Sequence, residues 1–164
     1  MPTDLGDSKK TDARAIKILL ADAHAVIRQG LKSLLASQPR LEVIAEADNG
    51  RAAVQLCRKL SPDVVIMDIT MPDLSGIEAT RRIVASCPGV KVIGLSVHSD
   101  RQFAKEMLKA GARGYLLKES AFQEVLEAIQ AARADLIYLS PKIAERISKI
   151  KPIAAVRPEA ASKD

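Results

Sequence analysis

The segment Asp63 to Gly76 reads DVVIMDITMPDLSG. Its apolar residues Val64 to Met67 run unbroken into the carboxylate of Asp68, and a turn-forming stretch with Pro72 and Gly76 comes next. A short continuous apolar run bounded by polar and turn residues fits a strand covered on both faces, and such strands belong to parallel sheets. Its terminal acid then stands at the carboxyl edge of the sheet, where open α/β sheets bind their ligands. Pro72 fixes the turn that leaves the strand, and Gly76 permits the chain to swing into a helix.

Working outward, further apolar runs occur at Ile18 to Ala21, Val43 to Ala45, Val92 to Leu95 and Tyr115 to Leu117. Between them lie stretches of helical period: Val26, Ile27, Leu31, Leu34 and Leu35; Ala53, Leu56, Cys57 and Leu60; Ile77, Ile83 and Val84; Phe103, Met107 and Leu108. Phe122, Val125, Leu126 and Ile129 complete the alternation. The pattern predicts an α/β fold, a doubly wound (βα)5 arrangement with a five-stranded parallel sheet. Ser120 with Gln123 three residues later predicts a capping box opening the fifth helix. Gly111, Gly114 and Asp48-Asn49-Gly50 supply permissive backbone at the other junctions.

Residues 1–15 show no periodicity and read as a mobile lead; residues 16–134 form the domain, and residues 135–164 an extension. Within the extension Ser140-Pro141 starts a short helix over about 140–150 with Ile143, Ala144 and Ile147 as its apolar stripe. Pro152 and Pro158 interrupt the chain beyond that helix, leaving linker or tail.

The composition of the 164 residues, 48% hydrophobic and 27% charged, excludes disorder throughout. No segment reaches the roughly 18 unbroken apolar residues of a membrane span, and the first residues are not a signal peptide, so no membrane association and a cytoplasmic location are expected. Cys57 and Cys87, the two cysteines, fall in apolar helical patterns and read as reduced core residues. The net charge of +5 is mostly tail: residues 140–164 hold six basic residues against three acids, and residues 16–139 hold sixteen against fourteen. Without a basic run or interleaved aromatics, direct nucleic-acid binding by the core is not expected.

The strand ends carry the chemistry. The first strand runs into Asp22, the third into Asp68, the fourth into Ser96, and the fifth is followed at once by Lys118. Two carboxylates, a hydroxyl and an ammonium are thus expected to converge in a solvent-open cleft at one sheet edge. Singly these residues have blander readings: Asp22 as a helix cap, Ser96 as a turn residue. His24 and His98 lie on loops at the rim and read as solvated surface groups, and Arg81 and Arg82 as a solvated helix face.

In order, the segments ILLADAH, DVVIMDITMPDLSG, VIGLSVH and GARGYLLKES resemble the receiver domains of bacterial response regulators, the CheY-like family, over about Ile16 to Ala132. His24, AGARGYLLK, Glu119 and IYLSPKIAERI are similar to the NarL-type branch. The resemblance implies a flavodoxin-like sheet of strand order 2-1-3-4-5 and a phosphoryl group accepted by Asp68 from a sensor histidine kinase. Lys118 would pair with the phosphate, and Ser96 and Tyr115 would form a switch in which the ring turns inward. Mg²⁺ would be held by Asp22, Asp68 and the backbone carbonyl of Thr70. A homodimer through the first and fifth helices is also implied.

One position departs from the pattern. Where the family has a second acid, this chain has Ala23, so Mg²⁺ binding is expected to be weak. With one carboxylate fewer, the unmodified pocket repels itself less, which favours a receiver acting without phosphate. A phosphohydrolase reading is disfavoured because Thr70 stands where such enzymes place a second acid, so no enzyme activity is expected. A DNA-binding regulator whose helix-turn-helix domain is absent from this chain is the other alternative.

Overall fold

Apolar runs become strands where both faces are covered, and helices form where the apolar residues recur at three and four. In the computed structural model, which describes residues 14–148, the strands are β1 (Ile16–Ala21), β2 (Leu41–Ala47), β3 (Val64–Asp68), β4 (Lys91–Ser96), β5 (Gly114–Leu117) and β6 (Tyr138–Leu139). The helices are α1 (Ala25–Ala36), α2 (Gly50–Leu60), α3 (Gly76–Ser86), α4 (Arg101–Ala110), α5 (Ala121–Arg133) and α6 (Pro141–Ser148). All strands pair in parallel, in the order β2-β1-β3-β4-β5-β6. The chain therefore has the expected α/β fold and strand order, with one strand more than the five expected.

Alternation along each strand divides the core in two. Leu19, Ala21, Val65, Met67 and Val92 pack with Cys57 of α2, Ile83 of α3 and Met107 of α4. Ile18, Leu20, Val64, Ile66, Ile93 and Leu95 face the other way, onto Leu31 and Leu35 of α1 and Val125 and Ile129 of α5. Helices on both faces follow from right-handed crossovers between parallel strands.

β6 escaped the sequence reading because two residues carry no period. It exists because the chain after α5 lays Tyr138 and Leu139 beside Gly114 and Tyr115. α6 then seals that edge by burying Ile143 and Ile147. Ser140, between them, is buried and ties three elements: its Oγ accepts from the Leu117 N–H (3.0 Å) and donates to Glu124 Oε1 of α5 (2.7 Å).

Three local expectations need correction. Ser120 makes no capping hydrogen bond, because the chain leaves β5 through a 3₁₀ turn (Lys118–Ser120) and Ser120 lacks the extended backbone that a capping residue adopts. Cys87 follows the last residue of α3 and is half-buried, whereas Cys57 is fully buried in α2. Gly50 and Gly114 have ordinary backbone angles and only Gly111, at φ +111°, needs the left-handed region. The lead before residue 14 and the tail after residue 148 lie outside the described residues.

Candidate functional site

Asp22 is the first residue past β1, yet its N–H still donates to the Ala47 carbonyl (3.0 Å), which holds it to the sheet edge. Its Oδ1 accepts from the His24 N–H at 2.7 Å, an Asx turn that leads the chain into α1. Arg28, one turn into α1, donates from Nη1 to the Asp22 carbonyl (2.6 Å) and from Nε to Glu46 Oε1 on β2 (2.9 Å). Glu46 is held below the usual carboxylate range by Lys32 foremost and also by Arg28, against the opposing effect of burial. Arg28 thus fixes the loop that carries Asp22.

Asp68 ends β3. Its Oδ1 accepts from both the N–H and the hydroxyl of Thr70, each at 3.1 Å. The loop can pass this close because Gly76 has no side chain: a Cβ there would stand 2.1 Å from the Asp68 carbonyl oxygen and 2.5 Å from Ile69 Cα. This close approach, rather than conformational freedom, is what requires glycine.

Lys118 leaves β5 in the 3₁₀ turn and reaches back across the edge. Its Nζ lies 3.0 Å from Asp22 Oδ2, 3.2 Å from Asp68 Oδ2 and 3.0 Å from His24 Nδ1. Asp22 Oδ2 and Asp68 Oδ2 are buried and receive no well-angled hydrogen bond, so the ammonium faces them chiefly as a charge. Burial pushes the Asp68 carboxyl up. The Thr70 N–H foremost, then the nearby Lys118 ammonium and the neighbouring Asp22 carboxyl, outweigh that and hold it below the usual range.

Ser96 ends β4, buried, with its Oγ accepting from the His98 N–H (2.8 Å). Tyr115 of β5 is fully buried and donates its hydroxyl to the His98 carbonyl (3.1 Å). Burial pushes its phenol up to about 12, the Asp100 charge adding and a Ser96 hydrogen bond opposing. The His98 ring stacks on Phe103 with centroids 4.5 Å apart.

Asp22, Asp68 and Lys118 therefore meet as expected, and Ser96 lies at the adjoining strand end. The expectation of an open cleft fails: relative exposure is 1% for Asp22, 0% for Asp68 and 8% for Lys118. Close ion pairing and the Thr70 contacts shut water out. His24 lies at the rim as expected, but its ring is not simply solvated. Its side chain is 59% exposed, but Nδ1 turns inward to within 3.1 Å of Asp22 Oδ1 and 3.7 Å of Asp68 Oδ2. A histidine two residues past a strand-end acid was the available signal; Arg28 offered none, because its partner Glu46 lies on another strand.

The response regulator receiver domain family matches residues 18–130. The chain is 39% identical over 142 residues to the transcriptional regulatory protein DegU of Brevibacillus brevis, covering 87% of this chain and 60% of that protein. It is 40% identical over 139 residues to the response regulator UvrY of Escherichia coli K12, covering 84% and 64%. The chain thus spans about three fifths of the length of these curated relatives. Among solved structures, a LuxR-family two-component response regulator from Aurantimonas sp. SI85-9A1 superposes with TM-score 0.79 at 36% identity, covering 84% of this chain and 98% of that one. The receiver domain of the response regulator NarL from Mycobacterium tuberculosis does so with TM-score 0.71 at 27% identity, covering 74% and 98%. With the family matched across most of its fold and with relatives of this identity, the chain belongs to the response regulator receiver domains of two-component signal transduction.

Proposed function

We propose that Asp68 is the phosphoacceptor, taking a phosphoryl group from the phosphohistidine of a sensor kinase. The observation that carries this reading is the division of labour between its two oxygens: Oδ1 is held by Thr70, while Oδ2 has no hydrogen bond and faces Lys118. Once the exposed His24 side chain swings aside and uncovers it, Oδ2 attacks phosphorus, the N–P bond of the donor breaks, and the imidazole leaves with the electron pair. A carboxylate is a competent nucleophile for such transfer once its charge is offset. Lys118, already 3.2 Å away, follows the charge from carboxylate to phosphoryl oxygens. Ser96 and Tyr115 are proposed as the switch pair that reads the new charge.

Mg²⁺ fits the residues present, since two buried carboxylates have oxygens without hydrogen bonds and such an ion is often held by one or two carboxylates. Asp22, Asp68 and the Thr70 carbonyl would hold it, and when bound it offsets negative charge on the transferring group. Ala23 packs against the core and offers no ligand, which makes this binding weak. The chain is proposed to act as a signalling module rather than an enzyme with turnover, and to work within the cytoplasm. Among the described residues no helix is long and apolar enough to cross a membrane. Its relatives include a transcriptional regulatory protein, so a receiver serving a DNA-binding output is the fitting context. A homodimer through α1 and α5 agrees with Phe122, which is partly exposed at the edge of the α5 face that meets α1.

A second reading, a receiver acting without phosphate, is favoured by one specific observation: Tyr115 already points inward and is fully buried. Mass spectrometry after incubation with acetyl phosphate and Mg²⁺ tests both. The first reading expects one phosphoryl group on the wild type, none on Asp68→Ala, and faster loading of Ala23→Asp. Absence of loading on the wild type, with partner binding unchanged in Asp68→Asn, decides for the second.

A further inference from the structure

Asp22, His24 and Asp68 each offer one ligand atom, and these atoms lie within 4.8 Å of one another. The separations of His24 Nδ1 from Asp22 Oδ1 and Asp68 Oδ2 are 3.1 and 3.7 Å. Ligands about 2.1 Å from one tetrahedral ion stand about 3.4 Å apart, so these two separations, the shorter of which is a hydrogen bond in the metal-free chain, bracket the spacing of a shared cation. Two further observations point to a cation there. Asp22 Oδ2 and Asp68 Oδ2 are buried without a hydrogen bond, and the Lys118 ammonium already stands within 3.2 Å of all three side chains.

We propose that this chain binds a first-row transition-metal dication of the Zn²⁺ and Co²⁺ class through Asp22, His24 and Asp68, the His24 imidazole supplying the ligand that Ala23 lacks. The ligand set decides the cation class. Mg²⁺ demands oxygen donors in near-octahedral geometry, whereas imidazole with carboxylates suits Zn²⁺ and its neighbours. His24 stands at the exposed face of the cluster, so the ion enters from solvent past its ring and meets the buried carboxylates behind it. Lys118 holds the place of that ion in the metal-free chain and withdraws when it binds. The inference deepens the receiver reading above and takes its biological sense from it.

The test is an equilibrium titration of the tag-free chain with Zn²⁺ by calorimetry and with Co²⁺ by visible absorption, with Mg²⁺ in parallel. The chain contains only two histidines, His24 and His98, so His98→Ala is the control for adventitious imidazole binding. The wild type is expected to bind a single Zn²⁺ or Co²⁺ more tightly than Mg²⁺. His24→Ala should weaken Zn²⁺ and Co²⁺ by at least about tenfold, as loss of a metal-supporting group does, and leave Mg²⁺ and thermal stability unchanged. His98→Ala should change nothing. Equal Zn²⁺ affinity in wild type and His24→Ala, or no preference for Zn²⁺ over Mg²⁺ in the wild type, overturns the proposal. Acetyl phosphate labelling is run separately. His24-dependent Zn²⁺ binding without labelling of Asp68 upholds the metal site and removes the phosphoacceptor reading; labelling without that binding removes the metal site alone.

Discussion

The Lys118 ammonium stands 3.2 Å from Asp68 Oδ2 and 3.0 Å from Asp22 Oδ2, a single buried cation between two buried carboxylates. Lys118→Met leaves both acids without a counter-charge. At neutral pH and with divalent ions chelated, the loss of stability should be about 3 kcal/mol, the size found when one partner of a buried pair is removed. The sign with pH comes from Asp68, whose carboxyl is held low in the folded chain. Its stabilising contribution is full above the unfolded carboxylate value of about 3.9 and is lost as pH falls through the lower folded value. The gap between wild type and variant should therefore be widest at neutral pH and close in acid, measured by urea unfolding across that range.

Gly76→Ala and Gly89→Ala should behave oppositely. A Cβ at Gly76 meets the Asp68 carbonyl oxygen at 2.1 Å, backbone that cannot yield without moving the acceptor loop, while a Cβ at Gly89 meets nothing within 4 Å. The first should cost about 2–4 kcal/mol and the second almost nothing by thermal or urea unfolding.

Ser140→Ala removes the acceptor for the buried Leu117 N–H and the donor to Glu124. An orphaned buried N–H costs about 1–3 kcal/mol. Hydrogen exchange at Leu117 should accelerate, and the amides of β6 and α6 with it to a lesser degree, because the Ser140 hydroxyl adds a side-chain tie to the backbone pairing that already joins β6 to β5.

Tyr115 should remain protonated well past the ordinary tyrosine range, its phenol being pushed up to about 12 by burial. Because ionisation is easier in the unfolded chain, its contribution is intact below the unfolded value of about 10 and declines as pH rises toward the folded one. Absorbance titration should show Tyr115 ionising late, and Tyr115→Phe should flatten the loss of stability at high pH.

Most of the fold was legible because parallel strands buried on both faces write themselves as unbroken apolar runs. Asp63 to Gly76 shows this, its Val64 to Met67 run becoming β3 with Asp68 at its end. β2 read too short because it lies at the sheet edge, where Glu42 and Glu46 break the run. The 3₁₀ turn at Lys118–Ser120 was illegible, since a serine three residues before a glutamine looks the same whether or not its backbone takes the capping conformation.

The sequence by itself determined the alternation of strands and helices, and hence that Asp22, Asp68, Ser96 and Lys118 stand at one sheet edge, because chain direction and strand parity are local properties. Only the tertiary structure decided that the acids are closed from water, that His24 turns inward, and that Arg28 fastens the Asp22 loop to Glu46. These depend on side chains brought together across separate strands, where distance, angle and burial are set by packing and leave no period along the chain.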